Sequence, residues 1–137
     1  MATSTFIKKW NNKPLQDCGS YVSEEYNKFQ NAFKREMTKI ANNIGANLVS
    51  FSKGHYDVSG FIERNGKFVY FSYSSALSRN GRSTPTLTYQ QSTYPTMLCR
   101  TAKNNKDYRG GTNNSVWFEN CENVIDKLLN TEHKAAF

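Results

Sequence analysis

Residues 56 to 73 read Tyr56-Asp57-Val58-Ser59-Gly60-Phe61-Ile62-Glu63-Arg64-Asn65-Gly66-Lys67-Phe68-Val69-Tyr70-Phe71-Ser72-Tyr73. Asn65-Gly66 separates two segments of alternating side chains, and a two-residue type I′ turn requires positive φ at both central positions, which Asn and Gly tolerate best. The turn fixes the register: Arg64 faces Lys67, Ile62 faces Val69, Gly60 faces Phe71 and Val58 faces Tyr73. Val58, Ile62, Val69 and Phe71 therefore share one side of a sheet and pack beneath a helix. The other side pairs Glu63 with Phe68, Phe61 with Tyr70 and Ser59 with Ser72. Half aromatic and half polar, it suits a surface that is partly covered or that meets a partner.

Upstream of the hairpin, Val22, Tyr26, Phe29, Phe33, Met37, Ile40 and Ile44 recur at intervals of three and four, the signature of one face of a long α-helix. Ser20 or Ser23 caps its start, Glu24 and Glu25 sit in its first turn, and Gly45 supplies a left-handed stop. Its solvent face carries Lys28, Lys34, Arg35 and Lys39, offset to within one or two charges by Glu24, Glu25 and Glu36. A first strand follows over 47 to 52. Downstream, 74 to 85 is a polar, basic loop, 86 to 89 a short edge strand, 97 to 102 a better strand, 103 to 114 a second loop, and 115 to 118 a last short strand. Asn120 caps a C-terminal helix striped by Val124, Ile125, Leu128 and Leu129 and ending near Asn130.

The expected architecture is one α+β domain over 20 to 130: an antiparallel sheet of four to five strands packed against a long N-terminal helix and a C-terminal helix. An irregular arm precedes it at 1 to 19 and a frayed tail follows at 131 to 137. A chain of 137 residues leaves no space for a second domain.

Eighteen Lys and Arg against eleven Asp and Glu give a formal charge of +7. An excess of bases excludes a polyanionic imitation of nucleic acid, and 14% aromatic content argues against disorder. Cys18, Cys99 and Cys121 are odd in number and widely spaced, so they are read as reduced structural thiols rather than a disulfide framework or a metal pair. The first nine residues lack an apolar h-region and no run of 18 apolar residues exists, so neither a secretory signal nor a spanning helix is expected. From Arg64 to Arg109 there are eight bases and one acid, which equals the whole formal excess. Both long loops lie in that span, with Tyr89, Tyr94 and Tyr108 interleaved and Gly110-Gly111 allowing close backbone approach to a phosphate or an acidic partner. Such a surface suits a sugar-phosphate backbone; the plainer alternative is that basic loops keep a small domain soluble.

The catalytic inventory is thin. His55 and His133 are the two histidines, and His133 falls in the tail. His55 and Asp57, with Glu63 or Asp107, form the one grouping that acid-base or metal-dependent nuclease chemistry would use, but Glu63 shares their parity only near the far end of the hairpin. The alternative is a turn histidine with local hydrogen bonds. Gly110-Gly111-Thr112 lacks the Lys-Ser/Thr of a P-loop, and Cys99 and Arg100, adjacent on a strand, point to opposite faces. No catalytic residue, cofactor or metal is expected.

The segments Leu48-Val49-Ser50-Phe51-Ser52-Lys53-Gly54-His55-Tyr56, Ser59-Gly60-Phe61, Val69-Tyr70-Phe71-Ser72, Leu98-Cys99-Arg100-Thr101-Ala102-Lys103 and Lys106-Asp107-Tyr108-Arg109-Gly110-Gly111-Thr112-Asn113-Asn114 resemble a group of small uncharacterised proteins of Firmicutes plasmids, integrative elements and phages. The resemblance spans roughly residues 22 to 130 and departs over Arg79 to Pro95. The layout is also similar to some type II-A anti-CRISPR proteins, a similarity that transfers no individual residue. Together with the charge concentration, it implies a non-enzymatic mobile-element or phage protein, cytoplasmic in a bacterial host, that inhibits a nucleic-acid-targeting defence nuclease such as Cas9. Arg79, Arg82, Arg100, Lys103, Lys106 and Arg109 supply the charge, with Tyr108 stacking, and the partner is the Cas9-like protein or its guide RNA. A general DNA- or RNA-binding module is the alternative, and a small metal-dependent nuclease the third reading.

Overall fold

Helix α1 (Glu24–Asn43) turns Phe29, Phe33, Met37, Ile40 and Ala41 inward, each essentially fully buried. It closes at Gly45, which has φ +71°. The Gly45 N–H donates to the Asn42 carbonyl at 3.2 Å and the Ala46 N–H to that of Ala41 at 2.8 Å, a Schellman closure that satisfies two of the helix's last carbonyls. The computed structural model describes residues 24–53, 58–73 and 96–134. The expected N-terminal arm, the Ser20 or Ser23 cap, the loop at 74 to 85 and the edge strand at 86 to 89 lie outside the described residues.

Five strands follow: β1 (Asn47–Ser52), β2 (Val58–Arg64), β3 (Lys67–Tyr73), β4 (Thr96–Ala102) and β5 (Asn114–Trp117). They pair antiparallel in the order β1-β2-β3-β4-β5, so the fold is α+β with an antiparallel sheet and two helices. The β2–β3 register is the one the Asn-Gly turn dictates, from Arg64 against Lys67 to Val58 against Tyr73, with Asn65 at φ 54° and Gly66 at φ 81°. Between Leu48 and Ser50 the β1–β2 register slips, and Val49 at that irregularity is exposed.

The last strand ends one residue earlier than expected. Phe118 begins a 3₁₀ turn (Phe118–Asn120) that leads into α2 (Cys121–Leu129). Asn120 holds the N-cap position of α2, but its side chain makes no capping hydrogen bond, contrary to expectation. The 3₁₀ turn already brings the chain in as a helix, and the Cys121 N–H donates to the Phe118 carbonyl.

Both helices pack on the face that carries Val58, Ile62, Val69 and Phe71, all fully buried as expected. Phe33 of α1 is the junction. Its ring stacks on Tyr73 at 5.7 Å and meets Phe118 edge-on at 5.3 Å, which ties α1, the sheet and the approach to α2 into one core.

Arg64 fastens the same three parts from outside. Its Nη1 donates to the Ile44 carbonyl at 2.8 Å and to Asp126 Oδ1 at 2.6 Å, and its Nη2 to the Asp126 carbonyl and Asn130 Oδ1 at 3.1 and 3.0 Å. Arg64 belongs to the basic span of the sequence, yet its charge is spent on the fold.

Glu36 departs from expectation. It points inward with 6% of its surface exposed, and its Oε2 has no hydrogen-bond partner among the described residues. The bases Lys28, Lys34, Arg35 and Lys39 of α1 are exposed, whereas Glu36 is buried. Burial pushes its carboxyl above the ordinary 4.5; Lys39 opposes that shift and Glu122 adds to it.

Candidate nucleic-acid interface

The sheet face opposite the helices carries a second apolar cluster of Phe61, Tyr70 and Ala102, with Phe68 and Leu98 packed against it. The loop joining β4 to β5, residues 103 to 113, lays Tyr108 across it. The Tyr108 ring meets Phe61 at 5.3 Å and Tyr70 at 5.7 Å, both nearly perpendicular, and remains 45% exposed. The aromatic half of this face is thus covered in part by the chain's own loop.

Asp107 organises that loop. Its Oδ2 accepts the Lys103 N–H at 2.8 Å, and its Oδ1 accepts the Gly110 and Arg109 N–H groups at 2.8 and 3.1 Å. Asn104 Oδ1 accepts the Lys106 N–H at 2.9 Å. Burial works to raise the Asp107 carboxyl, but the amides of Gly110, Lys103 and Arg109, with His133 beside them, prevail and hold it below the ordinary 3.8. A carboxylate with three amide donors is a fixed hub, because each donor it satisfies would otherwise compete for water.

Gly110 and Gly111 serve this packing. Both are buried, Gly110 has φ +49°, and a Cβ on it would fall 2.8 Å from both Arg100 Nε and the Thr101 carbonyl. A Cβ on Gly111 would collide with the Thr101 hydroxyl and stand 3.2 Å from the Lys134 carbonyl. The Gly111 N–H donates to the Thr101 carbonyl at 2.8 Å. Close backbone approach is the right physical reading of the pair, but what approaches is β4 and the C-terminal segment rather than a phosphate.

Arg100 braces the loop from below. Its guanidinium carbon lies 4.5 Å from the centre of the Tyr70 ring, Nη1 donates to Asn113 Oδ1 at 2.8 Å, and Nη2 donates to the Tyr108 carbonyl. Of the residues expected to bind, Lys103, Lys106 and Arg109 are exposed on the loop around Tyr108, and none of their side chains makes an ion pair among the described residues. Arg79 and Arg82 lie outside the described residues. β3 ends at Tyr73, and β4 begins at Thr96, the end of β4 opposite the 103 to 113 loop. At about 3.3 Å per residue the two ends of β4 are about 20 Å apart.

His133, assigned to the tail by sequence, is engaged. Its Nδ1 lies 3.0 Å from the Thr101 hydroxyl and its Nε2 3.8 Å from Asp107 Oδ2. Thr101, His133 and Asp107 are the residue types of a hydrolytic triad, but Thr101 is buried beneath Gly111, so the trio clasps the C-terminal segment to β4. One signal for the hub was present in the sequence: Asn104 and Asp107 each precede by two residues an amide that they bind, the pattern of an Asx turn. Nothing in the spacing announced His133, 32 residues from its partner on β4.

No family model, curated protein or solved structure matches this chain.

The remaining chemistry is quickly placed. His55 and Asp57 lie outside the described residues, and Glu63 Oε2 accepts the Gly66 N–H at 2.9 Å inside the hairpin turn. Among the described residues no group of three His, Cys, Asp or Glu side chains is arranged to hold a metal ion. Cys99 and Cys121 are buried free thiols; burial pushes Cys99 up to about 12, and Cys121 is also raised, by burial first and then by Cys99, Glu122 and Glu36. Neither resembles a nucleophile, which requires a lowered pKa and access. Among the described residues no helix is long and apolar enough to cross a membrane.

Proposed function

We propose that the protein acts by binding, and that the 103 to 113 loop is a preformed ridge for a sugar-phosphate backbone. The observation that carries this reading is the placement of Lys103, Lys106 and Arg109 around the half-exposed Tyr108 on a loop whose backbone is pinned by Asp107 and Arg100. Unpaired surface bases attract a polyanion by displacing its counterions, and a loop that is already ordered loses little entropy on binding. In the setting that the sequence resemblance implies, the nucleic acid is the guide RNA of a Cas9-like defence nuclease and the outcome is inhibition of that nuclease.

Fluorescence anisotropy with labelled RNA and DNA over a salt series tests the binding. Three neutralised phosphates on a single strand give a slope of log K against log salt of about −2. Replacing Lys103, Lys106 and Arg109 by alanine abolishes that slope, whereas replacing Lys34, Arg35 and Lys39 on α1 removes the same charge and leaves it. Equal loss from both triple variants would mean diffuse attraction to a basic protein and would overturn the assignment of the ridge. The narrower form is tested by plasmid cleavage with guide-loaded Cas9 orthologues: inhibition that rises with protein supports it, and full cleavage at large molar excess for every orthologue rejects it.

A further inference from the structure

We infer that the nucleic acid taken by the ridge is single-stranded, with an unpaired base stacked on Tyr108; this rests on the ridge reading above and adds the class of ligand. The inference starts from what Tyr108 does for the fold. Tyr108 helps to cover the fully buried Phe61 and Tyr70, meeting both rings edge-to-face, and still keeps 45% of its surface in solvent. Its backbone is fixed by the Arg100 guanidinium at its own carbonyl, and its chain neighbours Asp107 and Arg109 are tied by the Asp107 hub.

The charges flank the ring along the chain: Lys106 lies two residues before it and Arg109 one residue after, both exposed. A duplex presents phosphates to such a ridge but keeps the faces of its bases inside the stack, so it would satisfy the bases of the ridge and leave the ring in water. An unpaired strand offers both: phosphates for Lys103, Lys106 and Arg109, and a flat base for the ring, a combination of basic track and aromatic platform typical of single-strand binders. The rigid support matters because an ordered ring forfeits little freedom when a base settles on it. RNA and DNA share this chemistry, and the oligonucleotide type used as the probe separates them.

The experiment compares four labelled 12-nucleotide probes by anisotropy at one low salt concentration: oligouridine, oligothymidine, an abasic strand with the same backbone, and an RNA duplex of equal length. The expected result is at least ten-fold tighter binding of a base-bearing single strand than of the abasic strand or the duplex. Y108W and Y108F keep that preference. Y108L loses it by about ten-fold while its binding to the duplex is unchanged, which shows that the loop is still folded and that the effect belongs to the ring. A tighter uridine than thymidine complex assigns RNA, and the reverse assigns DNA; either is consistent with the inference. Equal binding of strand, abasic strand and duplex leaves the ridge reading standing and overturns this one, as does a Y108L that keeps the preference. No binding to any probe, with capture of Cas9 protein free of RNA, overturns both in favour of a protein surface as the partner.

Discussion

Asp107 and Glu36 are two acidic side chains that the fold treats in opposite ways, and their pH dependence carries opposite signs. Asp107 lies below its ordinary 3.8 when folded. The unfolded chain therefore binds that proton more readily, and the stabilisation is complete above pH 3.8 and is lost as the pH falls through the folded value. Asp107→Asn should lower the melting temperature at neutral pH and flatten the acid limb of the stability profile; an unchanged limb in urea titrations between pH 2.5 and 5 would deny Asp107 its role as hub. Glu36 lies above 4.5 when folded because burial disfavours its charged form. Its contribution is present below pH 4.5 and is lost as the pH rises through the folded value, so at pH 7 the ionised form costs stability. Glu36→Gln should raise stability at pH 7 and narrow the difference between pH 7 and pH 4.5, read from the same titrations. Neither behaviour was legible in the sequence. Glu36 sits among Lys34, Arg35 and Lys39 like any helix-surface acid, and only the assembled fold shows it buried, with Glu122 of α2 close enough to act on its carboxyl. The demand on Asp107 comes from three amides that converge only when the loop has closed.

Among the elements, the hairpin was legible in full because its turn is local. Two positive-φ residues set the pairing of fourteen positions on β2 and β3, and side-chain alternation then decides which face is buried. The helices were legible for the same reason, since a 3.6-residue period needs no distant partner. The junctions between elements were not. Arg64 is a hairpin residue by sequence, but its bonds go to the end of α1 and to the last turn of α2, 20 and 62 to 66 residues away. Arg64→Ala should cost about 2–3 kcal/mol, the range expected when a half-buried guanidinium with several oxygen partners is removed. Arg64→Lys should recover little, because an ammonium cannot span the Ile44 carbonyl and Asp126 together. A double-mutant cycle with Asp126→Ala would check the coupling; strictly additive losses would show that the two act independently.

For the molecule as a whole, sequence reasoning localised the charge and the structure divided it. Within the basic span, Arg64 fastens the helices, Lys67 stands 3.8 Å from Glu132, and Arg100 braces a loop, which leaves Lys103, Lys106 and Arg109 as the exposed bases among its described residues. The site was thus half legible: composition marked the loop but gave no sign of which bases the fold consumes. A nearest-neighbour meander with both helices on one face leaves the other face to be closed by connections, and the 103 to 113 loop does this while presenting its bases outward. That arrangement has a further consequence for digestion. Lys103, Lys106 and Arg109 are three trypsin sites in an eleven-residue surface loop, where cutting is ordinarily fastest. Cleavage requires the segment to unfold into an extended strand, and here the amides of Lys103, Lys106, Arg109, Gly110 and Gly111 are all bonded within the fold. Brief trypsin treatment followed by mass spectrometry should find these three bonds among the slowest of the exposed basic sites, and Asp107→Asn should make them among the fastest. The exposed bases of the loop are the residues a protease would seek, and the carboxylate beneath them keeps the loop intact.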